Sequence, residues 1–187
     1  MRVIAGRFRR RRLKGTPPPG IRPTSDKLRE TLFNVLGPRV EGASFLDAYA
    51  GTGGVGIEAI SRGARLVYFV DQSPKAGAVI RENLKSLGVS EGFRVMEMKV
   101  STALDVCVRE HTVFDIAFLD PPYEREDLYT NDLEFFGSRP LLKDGILVIE
   151  HSKRLKLPEA AGSLERFRVI LQGDSGLSFY GERGEGA

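Results

Sequence analysis

Residues 47–56 read DAYAGTGGVG, directly after the apolar pair Phe45-Leu46. Gly51, Gly53 and Gly56 satisfy the spacing G-x-G-x-x-G, and Asp71 stands twenty residues beyond Gly51 at the tip of the next apolar run, RLVYFV. Glycines let a backbone turn tightly and bring a helix N-terminus up to a ligand, while a carboxylate at that distance accepts hydrogen bonds from two ribose hydroxyls. Glycines alone would mark only a tight turn. With the acid correctly spaced inside a strand–loop–helix–strand unit, the pattern points to a nucleoside-containing cofactor. Asp47, at the end of the first strand, either orients the loop or closes a turn.

Outward from the loop the same rhythm repeats. SPKAGAVIRENLKSLG is a helix with Ser73 as cap, Pro74 in its first turn and Gly88 after its end. FRVMEM, a helix near 102–110, FDIAFLD, a helix near 126–136 and GILVIE follow. Strands alternating with helices predict a mostly parallel sheet covered on both faces. After residue 160 two strand-like runs flank a Gly-Asp-Ser-Gly turn, which predicts an antiparallel hairpin at one sheet edge. Before the loop, DKLRETLFNVLG places Leu28, Leu32, Val35 and Leu36 on one helical face, with Thr24 or Ser25 as N-cap and Gly37 as the stop.

The chain has 187 residues, 41% of them apolar, enough for one self-sufficient domain. Its formal charge of +3 is unevenly spread: residues 1–29 hold ten Lys/Arg and one acid, the remainder eighteen against twenty-four. A basic arm beside an acidic body reads as a phosphate-contacting element. The expected organisation is a basic β arm or hairpin and linker over 1–23, a catalytic domain over 24–181 and a disordered tail over 182–187. TPPPG excludes helix from the connector. One cysteine, Cys107, and two histidines rule out an internal disulfide and a Cys/His metal cluster, so no metal is expected. Without a long apolar run or a secretory signal, a soluble cytoplasmic protein, away from the membrane, is expected.

The cofactor loop does not by itself separate a nicotinamide from S-adenosylmethionine. Hydride transfer in so short a chain needs a Tyr-x-x-x-Lys pair, and Tyr68, Tyr123, Tyr129 and Tyr180 have no lysine four residues on. The methyl donor is therefore the better fit. Asp120-Pro121-Pro122-Tyr123 then gains a chemical reason, because ligands bind outside the carboxyl ends of parallel strands and this segment should face the same crevice as the glycines. An exocyclic amine on a nucleobase is a poor nucleophile. Two acceptors, the Asp120 carboxylate and the Pro121 carbonyl, could grip its hydrogens and turn its lone pair toward a methyl group, while Tyr123 stacks on the base. Cys107 lies in a predicted helix, so a covalent thiol mechanism has no nucleophile. His151, past Glu150 at the fifth strand's end, reads as a surface residue.

AGTGGVGIEAISRGA and DPPY resemble the cofactor and catalytic motifs of class I S-adenosylmethionine-dependent amino-methyltransferases, and RPTSDKLRETLFNVL after MRVIAG resembles the RsmD family from Met1 to about Tyr180. That family acts on the guanine N2 amine of small-subunit ribosomal RNA. The resemblance implies a Rossmann-like, seven-stranded sheet with its last strand antiparallel, plus an N-terminal β extension. It implies S-adenosylmethionine as donor and S-adenosylhomocysteine as product. Asp120, Pro121, Pro122 and Tyr123 would be catalytic, and Asp47, Ala50, Gly51, Gly53, Asp71, Gln72, Val100, Ser101 and Asp120 would bind the donor. Arg7, Arg9, Arg10, Arg11, Arg12, Arg22 and Thr24 would contact RNA, free or within the small ribosomal subunit, and a monomer is expected. Many related enzymes carry an acid or amide after the third strand for the adenine amine, where this chain has Lys99, which cannot accept a hydrogen bond. Adenine is then left to backbone near Val100, to Ser101 or to apolar packing. A DNA adenine-N6 or protein-glutamine methyltransferase with the same clamp, and a non-catalytic RNA-binding protein, are the alternatives.

Overall fold

The computed structural model describes residues 1–15 and 25–182, with the backbone alone at Lys143. The TPPPG connector, Arg22, Thr24 and residues 183–187 lie outside the described residues. The chain divides into two compact units, Met1–Ala103 and Leu104–Ala187.

In the first unit, β1 (Ser44–Ala48), β2 (Leu66–Asp71) and β3 (Phe93–Glu97) are parallel in the order β3-β2-β1. Every residue of β1 is buried, as expected of a strand covered on both faces. Helix α1 (Asp26–Leu36) begins on Ser25, whose side chain accepts the Leu28 N–H at 3.1 Å, and stops at Gly37 with φ +54°. Its buried face is Leu28, Arg29, Leu32, Phe33 and Leu36, and Val35 is only half-buried. The face is thus rotated relative to the sequence reading, because the Arg29 guanidinium finds internal acceptors in the Arg2 carbonyl (2.6 Å) and Asp26 (2.9 Å). Helix α2 (Gly54–Ser61) packs on β1 and β2, and α3 (Pro74–Ser86) on β2 and β3. Ser73 caps α3, and Gly88 follows it with φ +73°.

The basic arm is a hairpin. An isolated bridge joins Arg2 to Arg12, and the chain reverses through a 3-10 turn over Gly6–Phe8. Val3 and Leu13 are buried, whereas Arg7, Arg9, Arg10, Arg11 and Arg12 are exposed. The hairpin is tied down by two side chains that are fully buried. Glu58 of α2 accepts the Ile4 and Ala5 N–H groups at 2.8 and 2.9 Å, and Asn83 of α3 bonds both the N–H and the carbonyl of Lys14. Ser61 closes a third tie, accepting from Phe8 N–H and donating to the Ala5 carbonyl.

Helix α4 (Val100–Arg109) leads into the second unit, where the strand order is β4-β5-β8-β7-β6. β4 (Phe114–Leu119) and β5 (Leu142–Ser152) are parallel, and helix α5 (Glu126–Ser138) connects them. β8 (Ser175–Glu182) runs antiparallel to both β5 and β7 (Leu164–Gln172), so the last strand is reversed as expected. Beside the seven anticipated strands stands β6, the pair Ala160–Ala161. It forms where α5 and the chain before β7 approach closely: a Cβ at Gly137 would strike the Ala161 carbonyl, and Ser163 N–H donates to the Gly137 carbonyl at 2.8 Å. Among the described residues no helix is long and apolar enough to cross a membrane.

Candidate active site

Parallel register aligns the carboxyl ends of β1, β2 and β3, pairing Ala48 with Val70 and Asp71 with Glu97. The loop after β1 therefore rises beside the tip of β2. Ala50 N–H donates to the Val70 carbonyl at 2.9 Å and Gly51 N–H to Asp71 Oδ2 at 2.9 Å. The other Asp71 oxygen accepts the Ser73 N–H at 2.8 Å. Asp47, Ala50, Gly51, Gly53, Asp71 and Gln72 are thus gathered at one edge.

Left-handed backbone is concentrated here, at Tyr49 (φ +62°), Gly51 (φ +54°) and Gly53 (φ +76°). For a tyrosine that conformation is strained and persists only where surrounding contacts over-determine it. One such contact comes from Asp47, whose Oδ2 accepts the Gly56 N–H at 2.7 Å. Gly56 has no room for a side chain, since a Cβ would run into the Phe69 ring and lie 3.0 Å from Asp47 Oδ2. Asp47 is 2% exposed. Burial first, then the nearby Asp71 charge, push its carboxyl up to about 8, against the pull of the Gly56 N–H and of Arg29. The Asp47 carboxyl thus joins the end of β1 to the first turn of α2, which follows the glycine loop.

The edge fits a nucleoside-bearing group. An ionised carboxylate offers about four acceptor positions. Backbone N–H groups occupy one on each Asp71 oxygen, which fixes the carboxylate and leaves acceptor capacity for a ribose diol. A Cβ built on Gly51 meets nothing within 4 Å, so the loop surface is open there. Past β3, Val100 is buried and Ser101 exposed in the first turn of α4, while Lys99 is exposed with its carbonyl accepting the Ala103 N–H. The acid at the carboxyl end of β3 is Glu97, ion-paired with Arg81.

In the second unit Asp120-Pro121-Pro122-Tyr123 leaves the carboxyl end of β4, where Leu119 pairs with Ile149 of β5. Two contacts fix this segment. The hydroxyl of Tyr129, 1% exposed in α5, donates to the Pro121 carbonyl at 2.9 Å. Burial and then the charge of Asp120 raise the Tyr129 hydroxyl above its ordinary range, so it stays protonated and a donor. Tyr123, 39% exposed, has its hydroxyl 3.0 Å from Ser175 Oγ at the start of β8. A cavity of about 560 Å³ opens beside it, lined by Tyr123, Glu126, Tyr129, Ser152, Arg154, Leu155 and Lys156.

One expectation needs correction. His151 is buried rather than on the surface, because Nδ1 lies 2.8 Å from the Ser152 carbonyl and Nε2 2.9 Å from Ser178 Oγ. A carbonyl only accepts, so Nδ1 carries the proton and Nε2 accepts from the serine; burial also lowers the imidazole's basicity. The ring is a neutral tie between β5 and β8. Tyr129 and Glu58, in turn, are unmarked in the sequence. Tyr129 lies six residues past the clamp on a helix that reads as ordinary, and only its spacing from Tyr123 hints at a shared location.

The fold is a Rossmann-like α/β fold of the methyltransferase kind. It matches a solved structure described as "Putative methyltransferase yhhF from Escherichia coli" with a TM-score of 0.84 and 26% identity, covering 99% of each chain. The chain belongs to the family described as "Conserved hypothetical protein 95", which matches residues 1–181 and is the RsmD family that the motifs resemble. Two curated relatives span nearly its whole length. "Putative rRNA methyltransferase YlbH" of Bacillus subtilis (strain 168) is 38% identical over 184 residues, 98% of this chain and 100% of its own length. "Ribosomal RNA small subunit methyltransferase D" of Escherichia coli (strain K12) is 30% identical over 187 residues, 100% and 92% of the respective chains.

Proposed function

We propose that this protein transfers a methyl group from S-adenosylmethionine to the exocyclic N2 amine of a guanine in small-subunit ribosomal RNA. The observation that carries the chemistry is the Pro121 carbonyl, fixed by the buried Tyr129 hydroxyl beside Asp120 at a strand's carboxyl end. The ribosomal substrate is supported by the names of relatives that match across nearly the full chain.

When bound, the donor supplies a methyl group made electrophilic by its sulfonium. Asp71 takes the ribose hydroxyls, and Asp47 holds the glycine loop in shape against the methionine portion. The Asp120 carboxylate and the second lone pair of the Pro121 carbonyl accept the two hydrogens of the amine. That grip turns the nitrogen lone pair out of conjugation with the ring and toward the methyl group. Asp120 then accepts the proton that the amine loses. Tyr123 stacks on the guanine, which has to leave its own stack to reach the clamp. The exposed arginines at 7 and 9–12 take RNA phosphates. The reading requires glycine loop and clamp to share one cleft.

Transfer of labelled methyl from S-adenosylmethionine to small-subunit RNA, followed by nucleoside identification, tests it. N2-methylguanosine is the expected product. Asp120→Ala should abolish nearly all transfer in a single-turnover assay while leaving donor affinity largely intact, and near-normal transfer would remove Asp120 from the mechanism.

A further inference from the structure

We propose that the cavity beside Tyr123 is a nucleotide subsite, which holds the RNA residue adjoining the methylated guanine with its phosphate on Arg154 and Lys156. The inference rests on the RNA reading above and adds a second contact surface, remote in sequence from the basic arm.

Three observations carry it. The first is charge. The segment Ser152-Lys153-Arg154-Leu155-Lys156 follows β5 and brings three cations into five residues. Lys153 is neutralised by Asp174 at 2.8 Å, as Arg125 is by Asp127. Arg154 and Lys156 line the cavity, are exposed and have no carboxylate partner among the described residues. Two cations against one carboxylate, Glu126, leave the concavity net positive and suited to an anion at its Arg154–Lys156 end, and a guanidinium can grip two phosphate oxygens at once.

The second is size and lining. About 560 Å³ lies inside the range of roughly 300–1,000 Å³ typical of pockets for small organic groups. Leu155 and the ring of Tyr123 supply apolar and aromatic wall. Glu126, in the first turn of α5, supplies an acceptor that a phosphate would avoid and a base amine would use. A ligand with an anionic end and an amine-bearing ring satisfies both.

The third is position. Tyr123 and Tyr129 line the cavity and tie it to the clamp: one is the ring proposed to stack on the target base, the other bonds the Pro121 carbonyl from α5. A nucleotide in the cavity is therefore one strand step from the base in the clamp. Single-stranded RNA is bound by this combination of stacking rings and flanking cations.

The test is the double variant Arg154→Ser/Lys156→Ser, compared with Lys75→Ser/Lys85→Ser, which removes equal charge from α3. RNA affinity is measured as a function of salt with small-subunit RNA, donor affinity separately, and steady-state transfer at saturating donor. The slope of log affinity against log salt should fall by about 0.7 if one phosphate is held and about 1.4 if two are, at roughly 0.7 per single-strand phosphate. KM for RNA should rise with kcat and donor affinity held, and the α3 variant should leave slope and KM near wild type. An unchanged slope, or an equal change in the α3 variant, overturns the subsite. Because the slope is a binding readout, it judges the cavity even if nucleoside identification places the methyl group on a base other than guanine.

Discussion

Tyr129→Phe deletes one oxygen and leaves the ring that fills the space between α5 and the clamp. The oxygen is the donor to the Pro121 carbonyl at 2.9 Å, in a side chain 1% exposed. A neutral buried hydrogen bond contributes about 0.5–1.5 kcal/mol net, and a carbonyl left buried without a partner costs about 1–3 kcal/mol. Were the bond only structural, all of that loss would appear in stability, lowering the midpoint of thermal unfolding by about 2–4 °C per kcal/mol for a chain of this size. Were it also to aim the carbonyl at the amine, part would appear in the barrier, where about 1.4 kcal/mol is tenfold in rate. The expected outcome is therefore a fall of about 3- to 30-fold in single-turnover methyl transfer. Donor affinity should hold. Single-turnover transfer within twofold of wild type, alongside a lowered unfolding midpoint, would refute the positioning role: the bond would be lost and the chemistry indifferent to it.

Glu58→Ala removes a fully buried carboxylate that holds two arm N–H groups and Arg62 Nε, so unfolding in urea should show a loss of about 3–5 kcal/mol. Hydrogen exchange at Ile4 and Ala5 should accelerate together with it. Replacing Arg9, Arg10, Arg11 and Arg12 by Ser should flatten the salt dependence of RNA binding by roughly 3 in log-log slope if each meets a phosphate; an unchanged slope makes the arm a bystander. Asp47, held near 8 by burial, binds a proton in the folded state that the unfolded chain releases above about 4. Its contribution to stability is therefore present at low pH and lost as pH rises from about 4 to about 8, by up to about 1.4 kcal/mol per unit. Asp47→Asn should remove that slope from the pH dependence of unfolding, and a wild-type profile left unaltered by the substitution would place the proton elsewhere.

What the sequence determined by itself is the set of features decided within a few residues. Ser25 and Ser73 cap helices because a side-chain oxygen reaches an N–H three positions on. Gly37 and Gly88 end helices because the backbone there turns left-handed. Continuous apolar runs gave the parallel strands, and the glycine loop and Asp71 were legible as neighbours at adjacent strand ends, where the Gly51 N–H meets Asp71 at 2.9 Å. The tertiary structure decided what depends on partners distant in the chain. Nothing local marks Glu58 as the receptor of an arm 53 and 54 residues away, His151 as a buried tie to Ser178, or Arg29 as part of a buried helix face. Each is a polar side chain that local pattern assigns to solvent. Glu58 and His151 are buried because packing brings each an acceptor or donor that water would otherwise have supplied, whereas Arg29 finds acceptors among the described residues for Nη2 alone. Tyr129 follows the same rule, its hydroxyl finding the Pro121 carbonyl only once α5 lies against the strand end that precedes it.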